Sequence, residues 1–388
     1  MKRNQILLVQ WPSFGPYHRA RLAATAAYFA EQDLSVVAMQ TASKTNVYAW
    51  ENESKTSFEE HLLFEDMTYQ EIPGNLLKDA VYNLLETVSP AVVAVNGYSF
   101  RESKTILSWC ANNRRPAILM SDSKKNDAPR NFFKELVKGR IVRKFSAYFC
   151  AGPAHRDYLI ELGAPADKIV LGYDVVDNEF FRDPANATNK ATLPGLDADT
   201  PFLLASSRFV PRKNIPLLIC GYRDYASSVS ASDQDPLRLI VLGDGEQRSE
   251  IEAIVGEDSN ITLAGFRSTA DIVAYYHAAS AFIHPSLQDQ WGLVVNEAMA
   301  AGLPVVVSET AGCAESLVKS GENGFLFDPK NRNELTEKLI EFHELDTPTR
   351  SEFGKRSIEL ISGYTPQTFA TNIFNAFNLA LEGYEPHH

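Results

Sequence analysis

Cysteine is scarce in this chain of 388 residues: there are four, and they stand far apart at Cys110, Cys150, Cys220 and Cys313. Such spacing favours reduced, buried thiols over a disulfide framework or a zinc site. Positive charge is also in deficit, with 37 Lys and Arg against 49 Asp and Glu, a net −12. No global field draws in a nucleic-acid backbone, so no nucleic-acid partner is expected. Long apolar runs are missing as well, and none approaches the roughly 18 residues of a membrane span. The start, Met1-Lys2-Arg3 followed by Ile6 to Val9, resembles a secretion leader only briefly, because Gln10 and Pro12 cut the run short; it reads as a first β-strand. A cytoplasmic protein, peripheral at most on the inner face of a membrane, is expected.

What is present is a regular alternation. Short apolar runs recur at Ile6-Val9, Leu34-Met39, Ala91-Val95, Ala117-Met120, Ala147-Ala151 and Ile169-Leu171, then at Phe202-Ala205, Arg238-Leu242, Ile261-Ala264, Ala281-Ile283, Val305-Val307 and Phe325-Phe327. Longer amphipathic stretches separate them, which is the pattern of βαβ units and parallel sheets. The class is therefore α/β, with two doubly wound, Rossmann-like domains over residues 1–180 and 201–362. A polar, Pro- and Ala-containing linker over 181–200 joins them, and a helical stretch closes the chain at 363–388.

The densest chemistry lies in His284 to Pro304, H-P-S-L-Q-D-Q-W-G-L-V-V-N-E-A-M-A-A-G-L-P. It joins two apolar runs through a loop and a helix rich in Ala and Met, which favour helix. If the runs are parallel strands, the loop sits at the carboxyl edge of the sheet, where open α/β sheets bind ligands. The amides of Gly292, Leu293 and Val294 at the helix start suit a phosphate. Asp289 in the loop and Glu297, placed in the first turn of the helix, suit the hydroxyls of a sugar and a ribose. The alternative is that Asp289 is a solvated loop acid and Glu297 only offsets the helix dipole.

The whole string P-S-x-x-[acid]-x-x-G-L-x-x-x-E-A-M-A-x-G-x-P-V-V resembles the signature of retaining glycosyltransferases of the GT-B fold, especially family 4. There two Glu are separated by seven residues; here Asp289 replaces the first, at the same spacing as Glu297. The resemblance extends to Ser206-Ser207-Arg208-Phe209-Val210-Pro211-Arg212-Lys213-Asn214, similar to the family's G-R-L-x-x-x-K-[GN], and to Gly243-Asp244-Gly245 and Gly265-Phe266-Arg267. It implies a nucleoside-diphosphate sugar in a cleft between the domains. Arg208 and Lys213 would bind the diphosphate with the amides of Gly292 to Val294, Glu297 the ribose, and Asp289 the sugar. Gly245 would approach the phosphate or sugar, and the loop at Phe266 would meet the base. From the first domain, Gly15 would lie near the donor, while His18, Arg19 and Asn96 (where many relatives carry His) would face the acceptor. The last helix would cross back to the first domain. Two fixed cations stabilise a departing diphosphate without a metal, so neither metal nor other cofactor is expected. Lys213→Ala and Glu297→Ala are each expected to abolish most transfer with the fold intact.

Several readings stay open. A GT-B phosphorylase or epimerase would use the same phosphate machinery, and a catalytically silent sugar-nucleotide-binding protein would need only part of it. An NAD oxidoreductase is disfavoured, because Arg248 stands where the third glycine of G-x-G-x-x-G belongs. Residues 124–145 are basic and apolar at near-helical spacing. They describe either a helix packed on its own sheet with a solvated basic face or a peripheral membrane contact serving a glycan or lipid-linked sugar acceptor.

Overall fold

The computed structural model describes residues 5–44, 57–127, 130–189, 193–196 and 200–382. Residues 190–192 and 197–199 of the expected linker, and 128–129 of the basic stretch, lie outside these. The chain divides into two compact units, Met1–Val176 with Tyr364–His388, and Asp177–Gly363.

The first unit holds a seven-stranded sheet of β1 (Ile6–Trp11), β2 (Ser35–Lys44), β3 (Glu59–Thr68), β4 (Val92–Asn96), β5 (Ala117–Ser121), β6 (Ala147–Cys150) and β7 (Ile169–Leu171). Its order is β3-β2-β1-β4-β5-β6-β7, and its pairings are parallel. The second holds β8 (Phe202–Ser206), β9 (Arg238–Leu242), β10 (Ile261–Gly265), β11 (Ala281–His284), β12 (Val305–Ser308) and β13 (Gly324–Phe327). Its order is β10-β9-β8-β11-β12-β13, again parallel. Strands covered on both faces read as continuous apolar runs, which is why the runs in the sequence fall on strands. The exception is β3, Glu-Glu-His-Leu-Leu-Phe-Glu-Asp-Met-Thr. It is an edge strand with largely exposed or half-buried side chains, and edge strands carry charge that hides them from a search for apolar runs.

In each sheet the chain winds outward and then returns to the other side of its first strand. The order therefore reverses between β1 and β4 and between β8 and β11, and such switch points open the crevices in which α/β sheets bind ligands. The last helix, Pro366–Leu381, belongs to the first unit. It buries Phe369, Ile373 and Phe377 in the core cluster that also holds Phe29.

The first two residues of the expected linker, Phe181 and Arg182, belong to a short helix. Asn178–Arg182 is helical, with Asp177 accepting from the Phe180 amide at 3.1 Å. Thr188 ties down further along, its hydroxyl donating to Asp271 at 2.7 Å. Polar, Pro-containing composition does not separate a free connector from capped surface turns. Among the described residues no helix is long and apolar enough to cross a membrane.

Candidate functional site

Four neighbouring strands of the second unit, β10, β9, β8 and β11, end in the loops that carry Phe266, Gly245, Arg208 with Lys213, and Asp289. Main-chain bonds zip these loops together. Ser207 N donates to Leu242 O at 3.0 Å, Phe209 N to Asp244 O at 2.8 Å and Gly243 N to Gly265 O at 2.9 Å. Gly245 is a steric requirement of that zipper: its φ is +155°, and a Cβ there would meet Phe209 O at 2.6 Å. Across the switch point, Leu287 N donates to Arg212 O at 2.9 Å, and Asn214 Nδ2 donates to Pro285 O at 3.2 Å. These contacts bring Lys213 to Asp289.

The two form a nearly buried ion pair, 12% and 13% exposed. His284, the last residue of β11 and fully buried, places Nε2 at 2.9 Å from the same Asp289 oxygen. Burial by itself raises a carboxyl pKa, but the Lys213 charge and the His284 hydrogen bond outweigh it and hold Asp289 well below the usual carboxylate range. Asp289 is thus ionised and firmly placed. The main chain fixes the rest of its loop, with Gly312 N donating to Asp289 O at 3.1 Å and Cys313 N to Trp291 O at 3.0 Å.

The helix Leu293–Ala300 starts from Gly292, whose φ of +104° is left-handed and favours glycine. The amides of its first turn, starting at Leu293 and Val294, have no partner within the helix itself. Glu297 requires a correction: the helix begins at Leu293, so Glu297 lies in the second turn, not the first. It is 2% exposed and accepts from the Tyr276 hydroxyl at 2.8 Å. The first-turn dipole argument therefore does not account for it, and Tyr276 holds its carboxylate in one orientation.

The first-unit candidates gather at the other switch point. Gly15 precedes the helix Pro16–Ala30, and its amide donates to His18 Nδ1 at 3.0 Å. Burial, then the charges of Arg21 and Arg19, push the His18 pKa down to about 3, so the ring is neutral. Asn96, at the end of β4, accepts at 3.1 Å from the Tyr173 hydroxyl, which itself accepts from Trp11 Nε1 at 2.8 Å. Arg19 is drawn elsewhere, into an ion pair at 3.0 Å with Glu60 of β3. Nearby, Arg21 pairs with the buried Asp174 at 3.3 Å. Burial and the Asp174 charge push Asp122, just beyond β5, up to about 7.

Comparison with known proteins decides what the second unit is: residues 189–360 match the model of the family described as glycosyl transferases group 1. The second unit carries a glycosyl transferases group 1 domain. An uncharacterized glycosyltransferase of Methanocaldococcus jannaschii is 30% identical over 174 residues, 44% of this chain and 46% of that protein. Mannosylfructose-phosphate synthase of Agrobacterium fabrum is 27% identical over 220 residues, 52% of this chain and 46% of that protein. The chain spans just under half the length of those relatives. The Anabaena protein HepE, solved with UDP and glucose, matches with a TM-score of 0.71 at 18% identity, over 96% of this chain and 99% of that one. Sucrose-phosphate synthase of Thermosynechococcus elongatus matches with a TM-score of 0.74, also at 18% identity, over 98% and 100%. The fold is GT-B, built of two Rossmann-like units.

Within the glycosyl transferases group 1 domain, two polar residues escaped the reading of the sequence. His284 stands at the head of the signature, yet its bond to Asp289 depends on how the loop turns. Tyr276 lies 21 residues before Glu297, and no local spacing links them. In the first unit, Asp122, Asp174 and Arg21 were missed for the same reason, since each meets its partner only through the sheet.

Proposed function

We propose that the protein transfers a sugar from a nucleoside-diphosphate sugar to a hydroxyl of a glycan or lipid-linked acceptor, with retention at the anomeric carbon. The observation that carries this reading is the convergence of Arg208, Lys213, Gly245, Asp289 and the start of the helix Leu293–Ala300 at one sheet edge of a glycosyl transferases group 1 domain. Arg208, Lys213 and the amides of Gly292, Leu293 and Val294 then hold the diphosphate. Glu297, steadied by Tyr276, takes the ribose, and the exposed Phe266 loop meets the base. As a diphosphate draws Lys213 towards its negative charge, Asp289 is released to accept from sugar hydroxyls, with His284 still at its back.

As the glycosidic bond breaks, charge grows on the leaving phosphate, and the Arg208 and Lys213 charges with the amides stabilise it. The same phosphate oxygen takes the acceptor proton while the hydroxyl attacks from the face the leaving group vacates, so no enzyme nucleophile and no metal enter the step. His18 and Asn96 of the first unit serve the acceptor; Arg19, tied to Glu60, contributes less.

One observation favours a second reading, a silent sugar-nucleotide-binding protein: Lys213 and Asp289 already neutralise each other. Thermal melting with UDP-, GDP-, ADP- and TDP-sugars, with magnesium or a chelator, tests both, since a ligand of the folded state raises the melting temperature. A metal-independent rise with one nucleotide, followed by transfer to added glycan with the donor's anomeric configuration by NMR, supports transfer. Binding without hydrolysis or transfer would leave the silent reading, and no shift with any donor would sink both.

A further inference from the structure

The helix Phe132–Val142 turns its apolar side outward. Phe132 is 76% exposed, Phe133 74%, Val137 53% and Leu136 43%. Phe132 with Leu136, and Phe133 with Val137, make two adjacent ridges at i, i+4 spacing, and Arg140 extends the first ridge. This departs from the reading in which the apolar face packs on the sheet. The helix has no freedom to roll the phenylalanines inward. Gly139 and Val142 are buried along the edge next to Phe132, away from Phe133 and Val137, and a Cβ at Gly139 would stand 2.9 Å from Leu162 O. Glu135 is also locked, accepting from Tyr158 Oη at 2.8 Å, Lys138 Nζ at 2.8 Å and Arg130 Nη1 at 3.2 Å.

Charge around this face opposes that of the molecule. Residues 124–144 hold eight basic side chains against two acidic ones, in a chain of net −12. Of the acids, Glu135 is engaged as above and Asp127 accepts from the Lys124 amide at 2.7 Å. Lys134, Arg140, Arg143 and Lys144 are exposed. Two copies joined face to face through this helix would bring like charge against like charge, which disfavours self-association. Outward phenylalanines ringed by Lys and Arg fit a surface that is apolar inside and anionic at its boundary.

We propose that the helix Phe132–Val142 docks on an anionic lipid bilayer, with Phe132, Phe133, Leu136 and Val137 entering the acyl boundary and Lys134, Arg140, Arg143 and Lys144 meeting the headgroups. The proposal stands apart from the sugar-transfer reading, because binding needs neither donor nor acceptor. The test is sedimentation of the full chain with phosphatidylcholine vesicles and with vesicles that also contain phosphatidylglycerol, at low and high salt. Binding is expected to the anionic vesicles only and to weaken with salt. Phe132→Ser with Phe133→Ser should lower it at least about tenfold, and Arg140→Gln and Lys144→Gln about fivefold each. All four side chains are exposed, so the variants should melt as the parent does. Equal binding to both vesicles, binding unchanged by the serine variant, or light scattering that shows a dimer dissociated by that variant would overturn the proposal.

Discussion

Replacing Lys213 by Met keeps the apolar stem and removes the ammonium that faces Asp289. Both side chains are nearly buried, 12% and 13% exposed, and stranding one charge of a buried pair costs about 3–5 kcal/mol. His284 keeps Nε2 at 2.9 Å from the same oxygen, so the stranded carboxylate retains a hydrogen bond and the lower end is expected. About 3 kcal/mol lowers the melting temperature of a unit of this size by roughly 6–12 °C. The sign of the pH dependence follows from Asp289, whose folded pKa is depressed. Its contribution to stability is fully present above the unfolded carboxylate pKa of about 4 and is lost as pH falls below it. Without Lys213 two of the causes that depress the folded pKa are gone, so Asp289 contributes less stability above about pH 4 and the gap between parent and variant narrows from neutrality towards pH of about 4. Calorimetry across that range, with Asp289→Asn and the double variant closing a cycle, should give a coupling of about 2–3 kcal/mol. A shift under about 2 °C, or additive single variants, would refute the pairing. The ion pair thus revises the expectation that Lys213→Ala spares the fold.

Three further outcomes are expected. Glu297→Gln should lower kcat/KM with the accepted nucleotide sugar at least about tenfold while melting within about 2 °C of the parent; near-normal transfer would remove Glu297 from the mechanism. Gly245→Ala places a methyl 2.6 Å from Phe209 O at a φ of +155°, so a loss of about 2–3 kcal/mol is expected by urea unfolding, and a loss below about 0.5 kcal/mol would contradict the zipper. His18, whose folded pKa is depressed to about 3, contributes stability that is present above about 6.5 and lost as pH falls. One titrating ring gives a slope of at most about 1.4 kcal/mol per pH unit, and less where the ring is partly accessible to solvent, as it is here; His18→Gln should flatten that limb, and parallel profiles would show that His18 does not titrate this way.

The legible part of the molecule was whatever one segment encodes on its own. A strand covered on both faces must be apolar along its length, so runs such as Val92-Val93-Ala94-Val95 announced themselves, whereas β3, half-wet at an edge, did not. The spacing of Asp289 and Glu297 around a Gly-initiated helix was likewise local. Three decisions belonged to tertiary structure. Lys213 meets Asp289 across 76 positions of chain, because a switch point sets β8 beside β11. Glu297 depends on Tyr276 from a neighbouring helix. The helix Phe132–Val142 shows its phenylalanines to solvent because Gly139 is the residue that fits against Leu162. Periodicity tells which residues share a face; only the rest of the fold tells which face is covered, since burial is a property of the partners and not of the segment.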